Sequence, residues 1–160
     1  MPYDPEKHHR RSIRLQHYDY RMPGSYYVTI CTHEQKCVFG EIKNNIACLN
    51  EPGNIAKRNW LALPQRFLTI EMDEYIIMPN HMHGIITIPE MPSSAKAPTL
   101  GQIVQAFKGV TTHQIRTTCL PEFAWQRDYF ERIIRKDGDL GRSRQYIMNN
   151  PIRWALKYEL

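Results

Sequence analysis

The chain has 160 residues, of which 42% are hydrophobic and 23% charged, and its formal net charge is +5. This length is typical of one domain that folds without disulfides or structural metals. No apolar run approaches the ~18–20 residues of a membrane span, and the basic residues 1–14 lack the apolar core of a secretory signal. We therefore expect a cytoplasmic protein with no membrane contact. The basic excess alone favours a polyanion partner only slightly.

The first half of the chain predicts a basic arm followed by strands and one helix. The arm covers residues 1–22, and residues 23–160 are expected to form a single domain. Residues 26–32 are rich in β-branched and aromatic side chains and predict a strand, with a second short strand over 37–42. Apolar spacing predicts the first helix over residues 51–63.

The second half alternates strands and helices. Residues 69–78 and 81–88 predict two adjacent strands joined by a tight turn, and the proline-rich stretch that follows predicts a loop. A three- and four-residue apolar spacing predicts a helix over 99–116. A strand is expected over 129–135, and then a last helix from about residue 137, which Pro151 should bend or break.

The order of these elements favours an α+β fold. Its middle part matches a split βαβ, ferredoxin-like arrangement, in which an antiparallel sheet carries helices on one face. A fold of this kind hosts many activities, so function has to be argued from particular residues.

His81 and His83 are the first such residues. Side chains two apart on a strand point the same way, so the two imidazoles should project together while Met82 faces the core. Two imidazoles on one face are able to share a divalent metal. The alternative is a pair of exposed histidines on a half-buried strand.

Tyr146 and Asn150 are four residues apart on the predicted last helix and therefore share a face. The Asn150 carbonyl oxygen is a candidate third metal ligand, and a phenol beside that metal is a candidate nucleophile for a phosphodiester. An ordinary tyrosine pKa of ~10 means that the phenol needs help from nearby cations to ionise. The alternative is a packed helix tyrosine followed by an asparagine before proline.

Aromatic and basic side chains form a candidate nucleic-acid surface. Aromatic faces stack on unpaired bases, and arginines hold phosphates. The alternatives are a sheet strand with ordinary charged positions and a solvated basic surface. The candidate DNA-binding residues are Arg10, Arg11, Arg14, Lys108, Arg116, Trp125, Gln126, Arg127, Tyr129, Arg132 and Arg135.

With these residues in hand, the chain resembles the REP-associated tyrosine transposases, a branch of the insertion-sequence single-tyrosine transposases in the HUH endonuclease superfamily. The order and spacing of several strings carry the resemblance. These strings are Arg10–Leu15, Tyr27–Thr32, Met78–Gly84, Trp125–Phe130 and Tyr146–Pro151. Related transposases have a glutamine at the place of Asn150, and asparagine is common there in this branch. One departure is Arg132, at whose place the family often has a histidine.

The resemblance implies a transposase-like catalytic domain over residues 23–160. It implies that His81 and His83 hold Mg²⁺ or Mn²⁺ with Asn150 as third ligand, and that Tyr146 is the nucleophile. The implied substrate is single-stranded DNA with palindromic hairpin elements, cleaved and rejoined through a 5′-phosphotyrosine link. No small-molecule substrate is expected, and the protein is expected to be a monomer or a homodimer.

Two other interpretations stay open at this point. The protein could be a domesticated hairpin-binding protein without mobilising activity, or a small RNA-binding module, since ferredoxin-like sheets with aromatic residues often bind RNA.

Overall fold

The structure, a computed structural model, describes residues 14–92 and 96–160. In chain order its helices and strands are β1 (Gly24–Cys31), β2 (Gly40–Lys43), β3 (Ile46–Leu49), α1 (Glu51–Leu61), α2 (Leu63–Arg66), β4 (Glu71–Met78), β5 (His81–Ile88), α3 (Leu100–Thr118), β6 (Phe130–Ile134), α4 (Asp137–Met148) and α5 (Asn150–Tyr158). Over these two ranges, no helix has the length and apolar character that crossing a membrane requires.

Four strands form one antiparallel sheet in the order β4-β5-β1-β6. Strand β5 is antiparallel to both β1 and β4, so β1 and β4 run in the same direction with β5 inserted between them. That arrangement is the split βαβ unit of a ferredoxin-like sheet. The predicted fold class is therefore confirmed.

One face of this sheet carries the main hydrophobic core. Alternate β1 residues, among them Val28 and Ile30, are fully buried there together with Met82 of β5. Helices α1 and α3 cover this face, and they contribute Trp60 and Phe107, whose rings meet edge to face with centroids 5.3 Å apart. Burial of such rings is the main stabilising contribution in a core of this kind.

Helix α4 lies against the opposite face, where the sequence had placed no helix. Arg144 of α4 forms two contacts with the Asp73 carboxylate of β4, Nε to Oδ1 at 2.8 Å and a guanidinium NH₂ to Oδ2 at 2.6 Å. This bidentate pair ties the middle of α4 to the outer strand of the sheet. The predicted break at Pro151 is also confirmed, because α4 ends at Met148 and α5 begins at Asn150.

The predicted second strand is one of the two strands of a small hairpin. The pattern over residues 37–42 correctly indicated β2, although the strand begins only at Gly40, and its partner β3 was missed. Asn44 and Asn45 connect the two strands with φ values of 49° and 61°. Asparagine tolerates this left-handed conformation, which a two-residue hairpin turn requires.

Residues 1–13 of the predicted arm, including Arg10 and Arg11, lie outside the described residues. The rest of the arm is attached to the sheet through Arg14. Its guanidinium binds the Tyr129 carbonyl oxygen at 2.8 Å, the Glu131 carboxylate at 3.1 Å and the Asp128 carboxylate at 3.0 Å. The division of the chain at residue 22 stays a prediction.

The contact between Gly84 and Trp60 gives a test of the core. A Cβ atom on Gly84 would lie 2.2 Å from Trp60 Cζ2, which forces the indole out of place. We expect Gly84→Ala to lower the free energy of unfolding by ~1–3 kcal/mol, as overpacking does. The control is Gly109→Ala in α3, where the added Cβ meets nothing within 4 Å and should stabilise the helix by up to ~1 kcal/mol. Urea unfolding measures both, and equal effects would contradict this account.

Candidate active site

His81 and His83 lie side by side on β5. The antiparallel register sets His81 opposite Cys31 and His83 opposite Thr29 of β1. The imidazole centroids are 4.7 Å apart, and Met82 between them is fully buried on the other face. The pair therefore shares one side of the sheet, as the alternation of side chains along a strand requires.

Two neighbouring side chains orient these rings through Nδ1. Asn80 Oδ1 lies 2.7 Å from His81 Nδ1, and Thr29 Oγ1 lies 2.8 Å from His83 Nδ1. Asn80 is itself held by a hydrogen bond from Nδ2 to the Gln35 carbonyl oxygen at 3.2 Å. Hydrogen bonds of this kind fix the tautomer and orientation of metal-binding histidines and leave Nε2 as the ligand atom.

Burial keeps both imidazoles uncharged. Loss of solvent lowers the pKa of His83 to about 3, and the proximity of His81 adds to this effect. The pKa of His81 is also lowered, chiefly by burial, although a hydrogen bond with the Asn150 side chain opposes the shift. Neutral imidazole is the form that binds a metal, so the pair is available to a metal at neutral pH.

Tyr146 of α4 faces the histidines from above the sheet. Its ring centroid lies 5.7 Å from that of His83 and 6.4 Å from that of Tyr27. The Tyr146 side chain is 41% exposed, so a polymer substrate has access to it. One chain therefore brings the candidate nucleophile and the histidine pair together.

These residues line a cavity of about 330 Å³. Asn150, a buried residue at the start of α5, lies in its wall with the two histidines and Tyr146. The structure thus brings together all four predicted catalytic and metal-binding residues. Four further lining residues come from α5 and were missed by sequence reasoning: Arg153, Trp154, Lys157 and Tyr158. They follow Asn150 at helical spacing, and extending that periodicity past Pro151 would have found them.

Several predicted DNA-binding residues lie around a second, larger groove of about 780 Å³ between α3 and residues 124–129. Lys108 spans the groove with hydrogen bonds from Nζ to the Gln126 carbonyl oxygen at 2.8 Å and the Asp128 carbonyl oxygen at 3.4 Å. Arg116 Nε donates to the Phe123 carbonyl oxygen at 2.7 Å. The other predicted residues that line the groove are Trp125, Gln126, Arg127 and Tyr129.

Trp125 belongs to the hydrophobic core. Only 8% of the residue is exposed, and its ring packs against Phe39, Phe107 and Phe123 at centroid distances of 5.3, 5.6 and 5.2 Å. The indole therefore belongs to the wall of the groove but lies within the core, where its ring contacts are with these phenylalanines.

The remaining predicted contacts lie along β6. Arg14 covers the Tyr129 ring at 3.4 Å, in addition to its carboxylate partners. Arg132 donates to Ser143 Oγ at 2.8 Å and lies 5.4 Å from the centre of the Tyr27 ring. Arg135 is exposed just after the strand. Arg14 and Arg132 thus contact the protein itself, and a phosphate would have to share their guanidinium groups.

The buried His83 predicts a loss of stability in mild acid. Its pKa is about 3 in the folded protein but near 6.5 in the unfolded chain, which therefore binds more protons below pH 6.5. The free energy of unfolding should then fall with pH, by about 2 kcal/mol from this group between pH 6.5 and 5. His83→Gln should lose correspondingly less stability in urea unfolding over this range. The matched control is His113→Gln, at an exposed position of α3; an unchanged pH dependence in His83→Gln would contradict the prediction.

Solved structures with the same fold include two transposase-related proteins. A REP-associated tyrosine transposase bound to a REP hairpin superposes with a TM-score of 0.64 and 18% identity, covering 90% of this chain and 74% of that chain. A candidate transposase from Deinococcus radiodurans R1 superposes with a TM-score of 0.52 and 15% identity, covering 86% of this chain and 97% of that chain. At these identities the likeness shows the fold.

Sequence comparison identifies the family. An uncharacterized protein of Haemophilus influenzae Rd is 40% identical over 168 aligned positions, which cover 95% of this chain and 93% of that protein. Residues 26–150 match the profile of the family described as "Transposase IS200 like", and the match includes His81, His83, Tyr146 and Asn150. The chain therefore belongs to the IS200-like transposase family.

Proposed function

We propose that this transposase-family protein cleaves and rejoins hairpin-flanked single-stranded DNA in a metal-dependent reaction, with Tyr146 as the nucleophile. One observation carries the proposal: the Tyr146 ring lies 5.7 Å from His83 in a cavity that also contains His81. The phenol is a candidate nucleophile, and the neutral histidine pair is able to hold a divalent metal. The open cavity gives a phosphodiester access to both, as metal-assisted covalent phosphoryl transfer requires.

In the proposed reaction Tyr146 Oη attacks a backbone phosphorus. The new Oη–P bond forms as the bond from phosphorus to the 3′ oxygen breaks. The phenolic proton leaves the tyrosine, and the departing 3′ oxygen takes up a proton to become a hydroxyl. The 5′-phosphotyrosine link keeps the energy of the diester, so a second 3′-hydroxyl is able to displace Tyr146 and join two strands without ATP.

The residues present fit a divalent cation such as Mg²⁺ or Mn²⁺. Within the described residues no group of three or more His, Cys, Asp or Glu side chains is placed to hold a metal ion, so a third protein ligand beside the histidine pair has to be an oxygen donor of another kind. The Asn150 amide, in hydrogen-bonding contact with His81, is such a donor. A divalent cation held by His81, His83 and Asn150 would supply Lewis-acid chemistry to the scissile phosphate. The protein supplies neutral ligands whose orientation Asn80 and Thr29 hold.

The groove between α3 and residues 124–129 is the proposed path for DNA outside the cavity. One backbone hydrogen bond at the end of β1 links the two linings: the Gln126 N–H donates to the Cys31 carbonyl oxygen at 2.8 Å. Gln126 lines the groove, and Cys31 lines the cavity. Basic side chains at the groove, such as Arg127, would neutralise phosphates there. The REP hairpin bound to the structural neighbour supports a hairpin substrate.

The nucleophile gives the first test of this function. Hairpins from the flanks of the gene, labelled and single-stranded, are incubated with the protein and Mn²⁺ and run on a denaturing gel. We expect a metal-dependent band shifted by the mass of the protein, and its complete loss in Tyr146→Phe, because the phenyl ring has no oxygen to form the diester.

Tyr158→Phe is the matched control, since this tyrosine also lines the cavity but lies three turns away along the helices. The adduct should persist in it, and hairpin affinity should persist in both variants. An adduct in Tyr146→Phe would exclude Tyr146 as the nucleophile. Salt-dependent hairpin binding with no adduct would instead favour a DNA-binding role without mobilising activity.

Asn150 gives the second test, on metal affinity. We expect Asn150→Ala to weaken Mn²⁺ binding at least ~10-fold in isothermal titration calorimetry, and His83→Ala to weaken it further, since each change removes a ligand atom. The matched control is Asn149→Ala, because the Asn149 side chain makes no capping hydrogen bond at α5. Equal Mn²⁺ affinity in Asn149→Ala and Asn150→Ala would rule out Asn150 as a ligand.

A further inference from the structure

Arg153 holds a position in the cavity that the reaction described above does not use. Its guanidinium carbon lies 4.5 Å from the centre of the Tyr146 ring, and its side chain lines the same cavity as the histidine pair. We propose that Arg153 is a further catalytic residue, which binds the scissile phosphate and stabilises the negative charge that develops there. This inference rests on the proposed function and adds Arg153 to Tyr146 as a second residue that acts on the phosphate.

The break between α4 and α5 explains how Arg153 reaches the nucleophile. In a straight helix, residues seven apart lie on one face but are separated by ~10.5 Å along the axis. Here the axis is interrupted at Asn149, and Pro151 lies in the first turn of α5. Helical side chains also point toward the N-terminus, so Arg153 extends back over Tyr146.

Neighbouring arginines have carboxylate partners, whereas Arg153 does not, and this difference supports a role of Arg153 in substrate binding. Arg142 pairs with Asp139, and Arg144 pairs with Asp73. Within the described residues, Arg153 has no ion pair, and no carboxylate lines the cavity. The positive charge of Arg153 is therefore directed into a cavity without a counter-charge, which is the arrangement expected where a substrate supplies the anion.

The chemistry requires a cation at this point. As Tyr146 Oη approaches phosphorus, additional negative charge accumulates on the phosphate oxygens before the bond to the 3′ oxygen is broken. A fixed guanidinium next to the attacking ring stabilises that charge more than it stabilises the ground-state diester, and this difference accelerates the step. Lys157, one turn further along α5, also lines the cavity and is placed to meet an adjoining phosphate.

The first experiment compares adduct formation by wild type and Arg153→Gln under single-turnover conditions with saturating DNA and Mn²⁺. We expect Arg153→Gln to form the adduct ~10²-fold more slowly, as removal of a transition-state charge stabiliser does. Arg153→Lys should recover part of the rate. Arg142→Gln is the matched control, because it removes an exposed arginine of α4 outside the cavity, and it should react like wild type.

A methylphosphonate at the scissile position separates charge stabilisation from support of the fold. This substitution removes the negative charge that Arg153 is proposed to bind, so the ~10²-fold difference between wild type and Arg153→Gln should shrink to near unity. A difference that stays ~10²-fold on the methylphosphonate would overturn the proposal, because it would show that Arg153 acts without contacting the phosphate. Equal rates on the ordinary diester would overturn it as well.

A binding experiment decides the role of Arg153 even if wild type forms no adduct and the proposed function fails. Single methylphosphonates are placed one at a time along the strand, and affinity for Tyr146→Phe is measured by fluorescence anisotropy in EDTA. We expect one position at which the neutral linkage weakens binding, and loss of that effect in Tyr146→Phe/Arg153→Gln. The same position dependence in both proteins would exclude contact between Arg153 and a phosphate.

Discussion

The pairing of β1 with β5 is the constraint on which the candidate site depends. Its register places Thr29 opposite His83, so the threonine hydroxyl reaches the ring nitrogen of the histidine across the two strands. A slip of one residue would turn both histidines into the core and Met82 toward α4, because side chains alternate along a strand. The hydrophobic face formed by Val28, Ile30 and Met82 prevents that slip. The packing of the core and the orientation of the two histidines are thus determined by the same hydrogen-bonded ladder.

One face of the sheet carries the hydrophobic core, and the other face carries the candidate active site. The face under α1 and α3 is apolar and fully buried, whereas the face under α4 carries His83, Thr29 and Tyr27. Burial on this second face is enough to keep the histidines neutral, yet Tyr146 remains open to solvent. The proposed metal site needs neutral imidazoles and the proposed nucleophile needs access, and one layer of helix over the sheet satisfies both conditions.

The sequence allowed the sheet and much of the site to be predicted, since both follow from local periodicity. Alternation along residues 81–83 is a property of one strand. The four-residue spacing of Tyr146 and Asn150 predicted that they lie close together, and both line the cavity although α4 ends between them. The sequence did not show which face α4 covers, nor that Trp125 is enclosed by three aromatic rings, because these depend on contacts between distant segments. Arg153 was missed because Pro151 predicted a bend or break in the helix, and the helical periodicity was not followed beyond it, where α5 continues to Tyr158.

The ion pair between Arg144 and Asp73 has a consequence for motion at the site. It joins α4 to the sheet at a point half a turn from Tyr146, and Arg132 of β6 adds a hydrogen bond to Ser143 on the same helix. Helix α5 begins after the break and leaves Ile152 and Leu156 exposed. Local unfolding free energies follow such differences in anchoring. We therefore expect amide hydrogens of α5 to exchange faster than those of α4, so that the wall of the cavity formed by α5 opens while Tyr146 keeps its place above the histidines.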